Sequence, residues 1–141
     1  MNYEVVKSLD ELEKKCYSAW EFYPGNIRYK NCDNSIFLYE DGFDVIMDIL
    51  DKIDPNFDYY GYSAQYNREE INKFKEGVYL RIKDVEENNT INYNGSSLNN
   101  YYCDLLNENK VKYKYEILNM LKELYEWLSS INDDVLNYIS F

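Results

Sequence analysis

The chain has 141 residues, a length that fits one domain whose core needs no disulfide staples. Its 45% apolar content, 17 tyrosines and formal net charge of −11 describe a folded acidic protein, not a disordered acidic tail. It contains no histidine, the side chain best suited to proton transfer near neutral pH, and a pI near 4.4 excludes the basic field that nucleic acids and anionic membranes require.

Tyr3 to Val6 predicts a short strand. Ser8 opens a helix, with Glu11 three residues on completing a capping box. Leu9, Leu12, Cys16, Ala19 and Tyr23 follow helical spacing up to Pro24 and Gly25. Ile27 and Tyr29 then alternate with Arg28 and Lys30, and Ser35 to Tyr39 is a compact apolar run. An antiparallel pair joined by Asn31 to Asn34 is expected there.

Asp41 to Ile53 predicts a helix with Phe43, Ile46, Ile49, Leu50 and Ile53 on one face, ended by Pro55. An aromatic loop around Gly61 comes next. Asn67 caps the following helix with Glu70 as its reciprocal partner, and Ile71, Phe74, Val78, Ile82 and Val85 form its apolar stripe. Gly77 interrupts that helix at a cost of about 1 kcal/mol relative to alanine. Asn88 to Asn100 is a polar gap, and Leu98 to Leu106 predicts a short helix. Lys110 to Tyr115 alternates like a strand and equally fits the first turn of the last major helix. In that helix Ile117, Leu121, Leu124, Leu128 and Ile131 predict a central position with a wide apolar face, and Asp133 begins a final short element. The expected fold is one helix-rich α+β domain over residues 1–141, with a small antiparallel sheet near the N-terminus.

Two features stand out as candidate contact surfaces. Asp41, Asp44, Asp48 and Asp51 recur by threes and fours, which at ~100° per residue sets them opposite Ile46, Leu50 and Ile53 as an acidic ridge facing solvent or a partner. Lys52 is the only base inside that helix, so little relieves the repulsion. The second is the loop with Asp58, Tyr59, Tyr60 and Tyr62. Tyrosine beside serine, glycine and asparagine supplies rigid, amphipathic contact area at low entropic cost.

Signals for chemistry are thin. Carboxylate pairs are inevitable among 26 acids and carry no assignment. Thr90 to Gly95 imitates an EF-hand loop but lacks the first acid, and Tyr101 stands where the bidentate glutamate belongs. Lys110, Lys112 and Lys114 form a small basic patch better read as a solvated edge than as a phosphate site. The three cysteines, Cys16, Cys32 and Cys103, form no Cys-x-x-Cys pair and have no histidine to complete a zinc site. No catalytic residue, metal or cofactor is expected, and reduced thiols, no secretory leader between Met1 and Lys7 and no apolar membrane span predict a cytoplasmic protein.

Between residues 36 and 74, the run Ile36-Phe37-Leu38-Tyr39-Glu40-Asp41-Gly42-Phe43, the acidic helix, Pro55, Phe57-Asp58-Tyr59-Tyr60-Gly61 and Asn67-Arg68-Glu69-Glu70-Ile71 together resemble small bacterial immunity proteins encoded beside polymorphic or contact-dependent inhibition toxins. That resemblance implies a small acidic cytoplasmic protein, not an enzyme, that binds a basic toxin domain, first among them a nuclease, and covers its active site. It brings no functional residues of its own. The alternative from another class is an acidic adaptor or regulatory protein of phage, viral or plasmid origin that binds a host protein and inhibits no enzyme.

Overall fold

The computed structural model describes residues 2–15, 18–29, 32–54, 63–88, 91 and 100–140. Its elements run β1 (Val5–Val6), α1 (Leu9–Lys15), β2 (Ala19–Pro24), β3 (Ile36–Tyr39), α2 (Glu40–Ile53), β4 (Ser63–Asn67), α3 (Arg68–Asn88), α4 (Asn100–Lys112), α5 (Lys114–Ser130) and β5 (Val135–Ser140). The five strands form one sheet in the order β1-β3-β2-β5-β4, with every neighbouring pair antiparallel. The α+β class holds, but the sheet takes β4 from the middle of the chain and β5 from its end. It is larger than the N-terminal ribbon the sequence suggests.

Alternation along the strands divides the sheet into two unlike faces. Trp20, Phe22, Ile36, Leu38, Tyr66, Leu136 and Tyr138 point inward to the main core, where they meet Phe43 and Ile46 of α2, Phe74 and Val78 of α3, and Leu121 and Leu124 of α5. Phe43 seats α2 on the sheet: its ring stacks on Trp20 with centroids 4.6 Å apart and on Tyr138 at 5.7 Å. The outer face carries a smaller cluster of Val6, Leu12, Ala19, Phe37 and Tyr39 beneath α1. Beyond that cluster, Ser63, Gln65 and Asn67 of β4 are exposed and Ile139 of β5 is half-buried.

Two expectations along the first 40 residues are corrected. Residues 19–24 are strand, not the end of the first helix, and α1 stops at Lys15. Ala19 and Tyr23 satisfy helical spacing, yet they also share a face with Glu21 in a strand, and the Trp20/Phe22 pair fills the opposite face. The partner of β3 is therefore β2, with Trp20 opposite Leu38 and Phe22 opposite Ile36, and residues 25–35 connect them.

Candidate functional site

The ridge of aspartates does not face solvent. Every residue of α2 from Gly42 to Leu50 is buried, because the helix is covered by the sheet on one side and by α3 on another. Asp44 is 6% exposed and Asp48 2%. Asp48 receives both ends of the Arg81 guanidinium, Nη1 to Oδ1 at 2.8 Å and Nη2 to Oδ2 at 2.6 Å, and Arg81 also donates to the Val45 carbonyl oxygen at 2.6 Å. Arg81 reaches in from α3 and is itself 6% exposed. Asp41 is half-buried and accepts from the Asn2 backbone N–H at 2.9 Å, and Asp51 is half-buried near the end of the helix. With Asp44 and Asp48 enclosed, the four aspartates do not form one solvent-facing docking ridge. Val45 and Met47, apolar between the aspartates, are the sequence signal that the helix is enclosed on more than one side. Asp58, Tyr59, Tyr60 and Tyr62 lie outside the described residues.

A second buried carboxylate, which sequence reasoning missed, organises the outer face of the sheet. Glu21 projects from β2 on the same side as Ala19 and is fully enclosed. It accepts from Arg28 Nε at 2.8 Å and from Ser35 Oγ at 2.5 Å. A buried charge persists only when it is paired and hydrogen-bonded, and these two residues, from the start and the end of the β2–β3 connection, supply both needs. Cys32 lies over the same spot with its backbone in the left-handed region at φ 56°. Its N–H donates to the Tyr29 carbonyl oxygen and its carbonyl oxygen accepts from the Ser35 N–H, both at 3.0 Å. Burial first, then the charge of Glu21, push the Cys32 thiol above its ordinary range, so it stays protonated.

Arg28 turns its Nε to Glu21 while its side chain stays 39% exposed, and its neighbours Ile27 and Tyr29 are 70% and 56% exposed. The loop is tied to the sheet at its start, where Gly25 N–H donates to the Val135 carbonyl oxygen at 2.9 Å and the Asn137 amide donates to the Gly25 carbonyl oxygen. Asn137 also accepts from Gln65 Nε2 at 3.0 Å, linking β5 to β4. Close by, Pro24, Asp33, Asn34 and Asp133 line a cleft of about 360 Å³.

Two further surfaces are shaped. A groove of about 540 Å³ runs between α2 and α3, with Ile49, Ile53 and Leu80 on its floor and Lys52, Lys73, Glu76 and Asp84 at its margins. On α3 and α5, Tyr79 and Tyr125 pack with centroids 5.9 Å apart, Lys83 lying over the first ring and Lys75 over the second. Among the described residues no group of three or more carboxylate or thiol side chains is placed to hold a metal ion, and no helix is long and apolar enough to cross a membrane. Comparison with family models, with curated proteins and with solved structures returned no match, so the fold and these surfaces are what bear on function.

Proposed function

We propose that this chain is a non-enzymatic, acidic binding protein that acts in the cytoplasm to neutralise a basic protein, in the manner of an immunity protein covering the active site of a cognate nuclease toxin. The observation that carries this reading is where the charge sits. The enclosed carboxylates Asp48 and Glu21 are each matched by an arginine, so the formal −11 belongs to the rest of the chain. Exposed acids recur on α1 (Asp10, Glu11, Glu13), in the turns (Asp33, Asp133, Asp134), on α3 (Glu86, Glu87) and on α5 (Glu116, Glu123, Glu126). The last turn of α3 holds no base of its own: Glu86 reaches Lys122 of α5 at 4.0 Å, and Glu87 sits at the unfavourable end of the helix dipole, at a cost of about 0.3–1 kcal/mol. Negative charge kept against local stability favours a role for the field itself, and a field of this sign speeds encounter with a basic protein.

The test is capture of the tagged full-length chain from lysate of its native host at low salt, with mass spectrometry of what is retained and an assay of that partner's activity. A stoichiometric basic partner, released by salt and inhibited while bound, is expected. A partnerless chain, or a bound partner whose activity is unchanged, contradicts the reading.

A further inference from the structure

We infer that the basic partner docks by adding an extended strand to the open edge of β4; the inference rests on the proposed binding function and adds to it the mode of contact. Among the described residues β4 is the last strand of the sheet, so one side of its backbone has no neighbouring strand. Two hydrogen bonds decide which backbone groups face that side. The Asn67 N–H donates to Glu70 Oε1, and the carbonyl oxygen of Val135, directly opposite Asn67, accepts from the Gly25 N–H just past β2. Asn67 and Val135 therefore exchange no bonds with each other. Antiparallel pairs alternate between bonded and non-bonded, so Ala64 and Tyr66 carry the ladder to Tyr138 and Leu136. Ser63 and Gln65 then turn both their N–H and C=O groups outward. Pro24, opposite Leu136 on the other side of β5, fits the same phase, because proline has no N–H to give.

Backbone donors and acceptors repeating at a two-residue spacing of about 7 Å are a template for another strand. Ser63 and Gln65 are exposed, and among the described residues neither backbone has another partner. Natural sheets guard such edges with lysine, proline or a bulge. The strand Ser63-Ala64-Gln65-Tyr66-Asn67 has no charge and no proline, and its pairs with β5 run in unbroken register. The opposite edge is no rival, because β1 has two residues and lies against both α1 and α5. β4 is also held from behind. Tyr66 sits in the main core and Gln65 Nε2 donates to Asn137 Oδ1 at 3.0 Å, so the template is fixed before binding. Charge in the flanking elements is of both signs, Asp54, Glu69 and Asp134 beside Lys52, Arg68 and Lys73, and does not choose the occupant. The charge of the whole chain does. A second copy can pair with the same edge, but each copy brings −11 to the other, whereas a strand carried by a basic protein is attracted.

The experiment uses the tagged full-length chain and its Ser63→Pro, Gln65→Pro and Gln65→Ala variants as baits in low-salt lysate of the native host. Proline at 63 or 65 removes an outward N–H and leaves the ladder to β5 in place. Alanine at 65 removes only the side chain and its bond to Asn137. Wild type and Gln65→Ala should retain one salt-released polypeptide of pI above about 9, and each proline variant about tenfold less of it. Equal retention by the proline variants overturns strand addition while leaving the binding reading intact. If wild type retains no such polypeptide, the binding reading fails and this contact with it. Amide hydrogen exchange of the isotope-labelled chain, alone and with the captured polypeptide added, is a second measurement that needs no variant. The Ser63 and Gln65 amides should exchange freely in the chain alone and slow about a hundredfold or more in the complex. Unchanged exchange at both positions overturns the contact. Sedimentation of the chain alone should give a monomer; a dimer that Gln65→Pro dissolves assigns the edge to a second copy and overturns the partner's strand.

Discussion

Single residues decide what this fold tolerates, and the two arginine-paired carboxylates illustrate it. Removing one partner from a buried ion pair leaves an uncompensated charge, so Arg81→Ala is expected to lose about 3–5 kcal/mol of unfolding free energy in urea titration. Replacing both members, as Asp48→Leu with Arg81→Met, should recover most of that loss. A double variant as unstable as Arg81→Ala would show that the pair is more than a matched charge inside the helix layer. Proton release gives a second prediction at this scale. Tyr3 and Tyr66 are held above the ordinary phenol value of 10.0, chiefly by burial and then by Asp41 for Tyr3 and Asp54 for Tyr66. The Cys32 thiol is likewise raised from 9.0. In each case the folded state keeps a proton that the unfolded chain releases, so the folded state binds more protons and stability falls with rising pH. The contribution is intact below pH 9 and declines above it, from the thiol first and the two phenols from pH 10 upward. Tyrosinate absorbance should therefore show a set of phenols, Tyr3 and Tyr66 among them, that ionise only as the chain unfolds; if all the tyrosines titrate freely below the unfolding transition, the burial of Tyr3 and Tyr66 is wrong.

Elements pack here by close approach, and Gly77 of α3 lies directly against Ile49 of α2. A Cβ at that position meets Ile49 Cγ2 at 2.5 Å. Gly77→Ala gains about 1 kcal/mol of helix propensity, but the overpacking it forces typically costs about 1–3 kcal/mol, and a net loss is expected. In an Ile49→Ala background the sign should reverse, which thermal melts of the four variants will show. The glycine that weakens the sequence case for this helix is thus a condition of its packing. Much of the element layout was legible. The box at the start of α3 has both reciprocal bonds, Glu70 N–H to Asn67 Oδ1 at 2.9 Å and Asn67 N–H to Glu70 Oε1 at 3.0 Å. The expected Asp41–Ile53 helix begins one residue earlier, at Glu40. β2 was not legible, because Glu21 breaks its apolar run with a charge whose partners lie in the following loop. The aspartate ridge was misplaced for a related reason: the partner of Asp48 is 33 residues away, and no local pattern marks Arg81 as buried. Ile27 and Tyr29 alternate with basic residues as a strand would, but the strand that pairs with β3 ends before them, at Pro24.

At the scale of the whole molecule, one face of the sheet is spent on the helix layer, and on the other Ser63, Gln65 and Asn67 of β4 are exposed. On the proposed function, the surplus negative charge serves encounter with a basic protein. The most direct test is the association rate with the captured partner, followed by stopped flow from about 20 mM to about 500 mM salt, where the Debye length shrinks from roughly 20 Å to under 5 Å. The association rate is expected to fall about tenfold or more across that range while the dissociation rate changes little. An association rate indifferent to salt would contradict it.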